Sequence, residues 1–420
     1  MNILSLRCDN LFMFKDFSID FTYKKQRKNC KFEICEQDAL FPDSQIFVKK
    51  RLLILGGNAS GKTTFGKLLC AINNYIIGRE VKPGALNLYR ALYDKHKKGF
   101  FEIEFVIDTI EAETKAKTYW AYKIGCEFDI MGNMEEYFKR TKVYKSYRIE
   151  KLRQKLDVSR KISSNVTMLY PKDNVTEVYT KANAPFVSTL LKSGKNQKYL
   201  DELRQSIGFH YIFSSFADNS QEVPSLAPID LFNQVLPQID NSISSIEALT
   251  TEGSQVKTNS YLIRFKNGEQ ITVPENNLLR TDRDRMSHGT YEVLAFLGIL
   301  AELKDRKNNI FYVDEQLAHL HAELEAYLVM RLFYSEISSQ LFFTSHNNNE
   351  LLELNVPVGT YLLFKRNEDQ SNTAVFMDSM LHENSSDIRY YYDNDYFGII
   401  PDYSALDPFF NDEAKDDEET

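Results

Sequence analysis

The chain carries two kinds of apolar pattern, and together they predict an α/β protein. Uninterrupted apolar runs are typical of strands buried on both faces, and they occur at 52–55, 310–313 and 341–343. Alternating apolar and polar residues predict strands with one exposed face, and they occur at 17–21, 100–108 and 118–128. Helical spacing of apolar residues is found at 65–72 and 293–303. The pair Asn267-Gly268 favours a hairpin over 262–273.

The first apolar run leads into a glycine-rich loop. Gly56, Gly61, Lys62 and Thr63 match the phosphate-binding pattern G-x-x-x-x-G-K-[ST], with a strand before the loop and a helix after it. Glycines let backbone N–H groups turn toward phosphate oxygens, and the helix N-terminus adds partial positive charge. We expect Lys62 to neutralise the β- and γ-phosphates and the Thr63 hydroxyl to bind Mg²⁺. The candidate ATP-binding residues of this loop are Gly56, Asn58, Ala59, Ser60, Gly61, Lys62, Thr63 and Thr64.

Two later apolar strands end in polar residues. The run at 310–313 is followed by Asp314 and Glu315. An aspartate in this position can hold Mg²⁺, usually through its water shell, and the adjacent glutamate can orient and deprotonate an attacking water. The strand at 340–344 is followed by His346, which either senses a γ-phosphate through a hydrogen bond or is an ordinary strand-end histidine.

A serine and a glycine come just before the helical segment at 293–303. Ser287 and Gly289 would form an anion site if the serine and the first helical N–H groups bound phosphate oxygen. A plain N-cap at Ser287 explains the same residues, so both interpretations stay open.

The composition, with 43% hydrophobic and 26% charged residues, is ordinary for a soluble globular protein. No apolar run has the length of a membrane span, and residues 1–7 do not resemble a signal peptide, so we expect a cytoplasmic protein without membrane contact. The five cysteines are odd in number and include no C-x-x-C pair. Reduced thiols are therefore favoured over a disulfide framework or a zinc site.

The net charge of −8 argues against a protein coated in nucleic acid, but positive charge is concentrated in one segment, Lys139 to Lys161. We call its bases the basic strip: Lys139, Arg140, Lys142, Lys145, Arg148, Lys151, Arg153, Lys155, Arg160 and Lys161. Such a strip either contacts DNA or a DNA-mimicking acidic protein, or is a solvated face. The acidic tail at 406–420 is either solvating or docks on a basic partner.

In their order, these motifs resemble those of an ABC-type ATPase of the RecF/SMC-like branch. Closer similarity is to the ATPase subunits of bacterial anti-phage defence and abortive-infection systems of the PARIS-like and Septu-like kind. That similarity lies around 317–324, at Thr344-Ser345-His346-Asn347 and at 390–401. It covers roughly residues 1–125 and 280–401, and leaves the middle of the chain without a matching motif.

The resemblance implies roles for matching positions. Lys62 and Thr63 correspond to the Walker A pair, Asp314 and Glu315 to the Walker B pair, and His346 to the switch histidine. Ser287 and Gly289 correspond to the signature, and Leu320-His321 to the D-loop. The implied catalytic residues are Glu315, Lys62, His346 and Ser287, and the implied Mg²⁺ ligands are Thr63 and Asp314.

The resemblance also implies an architecture: an ABC ATPase head with a mixed sheet and P-loop core, an antiparallel N-terminal β lobe, a compact and mostly helical insert, and no long coiled coil. The expected domains are lobe I at 1–128, the insert at 129–225, lobe II at 226–405 and the tail at 406–420. The turn between Arg7 and Lys15 is expected near the adenine or ribose, although the residues alone suit a plain hairpin equally well.

These features predict an ATPase that converts ATP and water to ADP and phosphate. The signature serine is expected to close over ATP held by a second copy, so that ATP joins two heads into a homo-oligomer. One function is a sensor or scaffold subunit of an anti-phage complex that holds or activates a separate effector, such as a nuclease encoded nearby. The alternative is a RecF-like repair ATPase that clamps DNA directly. A transporter subunit is disfavoured because no glutamine loop is recognisable.

Overall fold

The structure is a computed structural model. It describes residues 1–23, 32–77, 88–110, 115–131, 134–157, 175–181, 197–213, 229–250, 259–274, 287–305, 309–315, 317–335, 337, 339–382, 385 and 387–400. The acidic tail at 406–420, a large part of the segment 129–225 and Arg160 and Lys161 of the basic strip lie outside these residues.

The described chain contains helices and strands throughout its length. The helices are α1 (Lys62–Ile77), α2 (Ile149–Leu156), α3 (Gln197–Ser206), α4 (Ile229–Ile239), α5 (His288–Asp305), α6 (Ala322–Tyr334), α7 (Asn348–Leu352) and α8 (Ile388–Asp393). The first strands are β1 (Asn2–Asp9), β2 (Phe17–Asp20), β3 (Arg51–Leu55), β4 (Gly99–Ile110), β5 (Lys117–Phe128), β6 (Met134–Lys142), β7 (Val175–Lys181) and β8 (Phe209–Phe213). The later strands are β9 (Ile243–Thr250), β10 (Asn259–Phe265), β11 (Gln270–Pro274), β12 (Ile310–Asp314), β13 (Gln340–Thr344), β14 (Tyr361–Arg366) and β15 (Asn372–Phe376).

The strands form three sheets, so the predicted α/β class is confirmed. An antiparallel sheet has the order β2-β1-β4-β5-β6-β7, and a three-stranded antiparallel sheet has the order β11-β10-β9. A mixed sheet has the order β15-β14-β3-β13-β12-β8, in which β15 alone runs against its neighbour. The predicted strands 100–108 and 118–128 lie within β4 and β5, and the predicted hairpin at 262–273 is β10-β11.

The uninterrupted apolar runs form the centre of the mixed sheet. Every residue of β3, β12 and β13 is buried, because each of these strands has neighbours on both sides and packing on both faces. One apolar core lies between this sheet and the antiparallel sheet, around α1, and includes Phe65 and Phe342. A second core lies on the opposite face, around α5 and α6, and includes Phe311 and Phe343. The carboxyl ends of β3, β13 and β12 therefore rest on a rigid, fully packed base.

The prediction of a mostly helical segment at 129–225 is wrong for its described part. Besides α2 and α3, this part contains three strands: β6 and β7 extend the antiparallel sheet, and β8 forms an edge of the mixed sheet. In β6, Phe138 is fully buried, and the guanidinium of Arg140 stacks 3.5 Å above the Trp120 ring. The many charged residues of β6 obscured its strand pattern in the sequence. In the structure, nearby groups neutralise those charges, and they do not form one exposed face of a helix.

Several members of the basic strip are paired within the chain. The pairs are Arg140 with Glu202, Lys145 with Asp43 and Arg153 with Asp20, at N···O distances of 2.7, 2.6 and 2.8 Å. Arg153 also donates to Glu104, a buried residue of β4, at 3.1 Å. The contacts of Arg140 and Arg153 join α3 and α2 to the antiparallel sheet. Part of the positive charge of the basic strip therefore stabilises the fold.

The prediction that all cysteines are reduced thiols is wrong. Cys35 is disulfide-bonded, whereas Cys8, Cys70 and Cys126 are free. Burial raises the pKa of the Cys8 and Cys126 thiols far above the ordinary value, so these two are unreactive core residues. The odd cysteine count therefore did not exclude a single bridge. Within the described ranges, no helix combines the length and apolar character needed to cross a bilayer.

Candidate nucleotide site

Three neighbouring parallel strands carry the candidate chemistry at one edge of the mixed sheet. β13 lies between β3 and β12, with Thr344 opposite Ile54 on one side and Asp314 on the other. The glycine-rich loop at 56–61, called the P-loop below, follows β3. Asp314 ends β12 and Glu315 comes directly after it, and Ser345-His346 follows β13. Carboxyl ends of parallel strands meet at one edge of a sheet. The topology thus brings together three motifs that are far apart in the sequence.

The P-loop has the backbone conformation that its glycines allow. Gly61 has φ +104°, Gly56 has φ +155°, and Ala59 at the exposed tip has φ +60°. A Cβ at Gly56 would lie 2.4 Å from the Phe364 carbonyl oxygen, and one at Gly61 would lie 2.3 Å from Asn372 Nδ2. Both glycines are therefore required by close approach of β14 and β15, as well as by the turn itself.

Lys62 lies inside this loop and is almost fully buried. Its ammonium donates to the carbonyl oxygens of Gly56 at 2.8 Å and Gly57 at 3.2 Å. Burial lowers the pKa of Lys62, while the nearby carboxylates of Glu315 and Asp314 act in the opposite direction. The charge of Lys62 and those of the two carboxylates therefore influence one another.

Thr344 orients the acid pair of β12. Its hydroxyl donates to Asp314 Oδ1 at 2.6 Å and accepts the backbone N–H of Glu315 at 3.1 Å. Glu315 has φ +53°, in the left-handed region that glutamate rarely adopts. Such conformations cost about 1–3 kcal/mol and concentrate at functional sites.

His346 holds that carboxylate from the neighbouring strand end. Its Nε2 lies 2.8 Å from Glu315 Oε1, and the two side chains are 52% and 25% exposed. This hydrogen bond is the main reason that the pKa of Glu315 is lowered; burial acts against it, and the charge of Lys62 reinforces it. Glu315 is therefore ionised and partly open to water, the state required of a base that takes a proton from water.

The loop and its surroundings fit a phosphate group. The helix α1 begins at Lys62, so its N-terminus faces the loop. The buried Ser60 hydroxyl and both polar atoms of the Asn372 amide have no hydrogen-bond partner in the protein. Thr63 and the buried Asp314 supply the hard oxygen ligands that Mg²⁺ prefers, and few protein ligands suffice where phosphates complete the shell.

Ser287 and Gly289 occupy the start of α5. The Ser287 hydroxyl accepts the backbone N–H of Thr290 at 3.1 Å, so the serine is an exposed N-cap. Gly289 is buried, and a Cβ there would lie 3.0 Å from Leu320 and 3.2 Å from the His319 carbonyl oxygen. The start of α5 is thus packed against the turn that follows Asp314-Glu315. The Ser287 hydroxyl also lies 2.8 Å from the Thr290 hydroxyl, which donates to Asp240. The described contacts of Ser287 therefore fit the N-cap interpretation.

The turn between β1 and β2 lies beside the P-loop helix. The Phe14 ring is 6.1 Å from the Phe65 ring, and the carbonyl oxygen of Met13 accepts the N–H of Asn372, the residue that contacts Gly61. The expectation that this turn borders the nucleotide is compatible with its position, and contact with the adenine or ribose stays a prediction.

Sequence reasoning missed three groups at this site. Thr344 was recognised only as part of a motif, although its hydroxyl touches both acids of β12. The Tyr312 hydroxyl donates to the Lys62 carbonyl oxygen at 2.5 Å, which ties the start of α1 to β12. Asn372 had no sequence signal, because it contacts Gly61 from a strand at the far end of the chain. A polar residue inside an apolar strand was the available hint for Tyr312 and Thr344.

Comparisons with known proteins give structural neighbours only. No protein-family model matches the chain, and no curated protein matches it. One similar solved structure is an SMC head bound to the C-winged helix domain of ScpA, with 12% identity, a TM-score of 0.43, and coverage of 91% of this chain and 100% of that chain. Another is the SMC head domain from Thermotoga maritima, with 11% identity, a TM-score of 0.36, and coverage of 89% and 98%.

Both of these similar structures are SMC heads, and the resemblance of this chain to the RecF/SMC-like branch stays a prediction. Similarity this remote carries no argument about activity, so the roles of individual residues rest on the geometry above. The narrower resemblance to anti-phage ATPases stays a prediction.

Proposed function

We propose that this protein binds ATP with Mg²⁺ and hydrolyses it to ADP and phosphate. The observation that carries the proposal is the position of Glu315. Its carboxylate is hydrogen-bonded by His346, is stabilised by the charge of Lys62, and is separated by the single strand β13 from the strand that leads into the glycine-rich loop. This arrangement would combine a base, a counter-charge and an anion-binding loop at one edge of the mixed sheet.

Each residue has a distinct task in the proposed reaction. Lys62 and the loop N–H groups hold the phosphates, and Thr63 and Asp314 hold the metal. Bound Mg²⁺ neutralises phosphate charge and polarises the transferred group. Glu315 orients the attacking water and accepts its proton, and His346 keeps Glu315 ionised and correctly turned. Thr344 fixes the position of both acids through its hydroxyl.

We further propose that ATP joins two copies of the chain. Ser287 is exposed at the start of α5, where its hydroxyl would turn from Thr290 to donate to a phosphate of ATP bound to a second copy. Hydrolysis would remove the γ-phosphate that both copies contact. The dimer would then open, and the chain would work as a switch with slow turnover.

The resemblance to anti-phage ATPases supports a biological role for this switch. We propose that the protein is a sensor or scaffold subunit that holds or activates a separate effector. The RecF-like alternative is less favoured, because Arg140, Lys145 and Arg153 are already paired with carboxylates of the same chain.

Three substitutions test the ATPase switch. Glu315→Gln should retain ATP binding and abolish turnover, because the amide fits the same space and cannot take a proton. ATP should then hold this variant as a dimer, which light scattering measures.

Lys62→Ala should lose most ATP affinity, and adding Ser287→Arg to the Glu315→Gln variant should prevent the dimer. Glu150→Gln makes the same chemical change on the exposed face of α2 and should hydrolyse ATP at the wild-type rate.

Hydrolysis that survives in Lys62→Ala would refute the assignment of the phosphate loop. A Glu315→Gln protein that stays monomeric in ATP would refute the switch. The effector is tested by co-expression with the neighbouring gene and pull-down with and without ATP. Full biological activity of this chain alone, together with recovery of no partner in either condition, would favour the DNA-clamping alternative.

A further inference from the structure

A second polar cluster lies next to the candidate site and takes no part in phosphate binding. It begins at Glu292, in the second turn of α5, which is 6% exposed. Its carboxylate accepts the backbone N–H of His319 at 2.9 Å and contacts His319 Nδ1 at 2.6 Å. One buried carboxylate therefore fixes both the main chain and the ring of His319, five residues after Asp314.

Packing reinforces this contact. Gly289, one turn earlier in α5, lies so close to the His319 carbonyl oxygen and to Leu320 that a Cβ has no free space. The start of α5 and the turn at 317–320 are therefore held together by a double hydrogen bond and by close backbone approach. Displacement of one part without the other would leave a buried carboxylate without its hydrogen-bond partners, which is unfavourable.

The cluster continues toward His346. The N–H of Glu325, in the first turn of α6, donates to the His321 carbonyl oxygen at 3.0 Å. The Glu325 side chain is 3% exposed and accepts a hydrogen bond from Asn347 Nδ2 at 3.4 Å, and Ser345 also bonds to it. Ser345 and Asn347 flank His346, the residue that holds Glu315. These polar contacts, joined by the short main-chain stretches 319–321 and 345–347, connect α5 to the proposed base.

We propose that Glu292 and His319 are a positioning pair, which links the start of α5 to the His346 loop through Glu325. This inference rests on the proposed ATPase function. When Ser287 engages a phosphate of the opposite copy, the start of α5 is fixed in place. Through the pair, the position of the start of α5 determines the position of the turn at 317–321. Glu325 in turn positions the loop that orients Glu315. Neither Glu292 nor His319 contacts the reacting atoms.

The linkage predicts a loss of turnover without a loss of nucleotide affinity. Glu292→Ala and His319→Ala should each lower kcat at least about tenfold, because small misplacements of catalytic groups have effects of this size or larger. The dissociation constant for ATP, measured on the Glu315→Gln background, should change less than about twofold, because the P-loop contacts are untouched. His319→Asn should retain most of kcat, since the Asn amide can place an N–H donor near the position of Nδ1.

A matched control separates this effect from loss of stability. Val293 is adjacent to Glu292 in α5 and is fully buried in the core against β9 to β11. Val293→Ala should destabilise the same helix while leaving Glu292 and His319 in contact, so its kcat should stay within about twofold of wild type. Melting temperatures of all variants show whether the kcat losses follow stability.

The outcomes distinguish the two proposals. Normal kcat in Glu292→Ala and His319→Ala, alongside an active wild type, would overturn the positioning pair alone. The pair is also overturned if Val293→Ala loses as much kcat as they do, or if His319→Asn is as impaired as His319→Ala. Absence of Lys62-dependent hydrolysis in the wild type would overturn the ATPase function, and the pair with it.

Discussion

Replacing Gly61 by alanine should destabilise the protein for two separable reasons. At φ +104°, a residue with a side chain is strained by about 1–3 kcal/mol. The new methyl group would also lie 2.3 Å from Asn372 Nδ2 and force it to move, which costs about 1–3 kcal/mol more. Only the second cost depends on Asn372. Asn372→Ala should therefore relieve that part of the Gly61→Ala defect.

The effect of Asn372→Ala alone should be small. Removal of the side chain leaves a cavity, which destabilises, but it also removes two buried polar atoms that have no partner in the protein, which stabilises. We expect a net change within about 1 kcal/mol. The double-mutant cycle then isolates the overlap between Gly61 and Asn372.

Gly268 provides the control for backbone strain. It has φ +87°, and no atom lies within 4 Å of a Cβ built there. Gly268→Ala should thus show the strain without the overlap, and its cost should not depend on Asn372. Urea denaturation followed by circular dichroism gives the free energies of unfolding. If Gly61→Ala costs no more than Gly268→Ala, and Asn372→Ala does not relieve it, then β15 does not contact the P-loop as described.

Two further predictions concern charge. His346→Ala removes the main cause of the lowered pKa of Glu315, so the pKa of Glu315 should rise. Only the ionised carboxylate accepts a proton from water. The acidic limb of the profile of kcat against pH should therefore move to higher pH. An acidic limb at the wild-type position would contradict the role of the hydrogen bond. In the basic strip, the exposed residues Arg148, Lys151 and Lys155 are changed to glutamate. Arg153 is left unchanged, so its contacts with carboxylates of the same chain remain. This triple variant should lose salt-sensitive binding to duplex DNA while keeping basal hydrolysis, and wild-type protein without such binding would identify the strip as a solvated face.

The parts of the site that could be predicted from the sequence are those whose chemistry is local. The P-loop pattern can be recognised within eight residues, because glycines, a lysine and a threonine that surround one phosphate must lie close together in the chain. Asp314 and Glu315 were recognisable because two acids directly follow an apolar strand. The fully buried strands were equally clear, since a continuous apolar run of strand length between turn residues is typical of a strand covered on both faces.

The rest depended on contacts between distant segments. Asn372 meets Gly61, and Glu292 meets His319, only because the fold brings β15 and α5 to those positions. The left-handed conformation of Glu315 had no signal, because glutamate is not a residue that favours it. In the segment 129–225, charge dominated the interpretation, while the buried Phe138 belonged to a strand. Its pairing with neighbouring strands determined its conformation, and that pairing could not be recognised from the sequence.

The register of β13 explains how a sheet of apolar strands can hold this site accurately. Strands buried on both faces lack the alternation that usually fixes register, and a slip of one residue would replace Thr344 by Phe343 beside the acids. Polar residues at the two ends of β13 prevent this. At the start, the fully buried Gln340 side chain accepts the N–H of Ile3 at 2.8 Å and donates to the Lys49 carbonyl oxygen at 3.0 Å. At the end, Thr344 bonds both acids of β12. Because a slip would leave these buried groups unpaired, the contacts that position Asp314 and Glu315 also select the register that allows them.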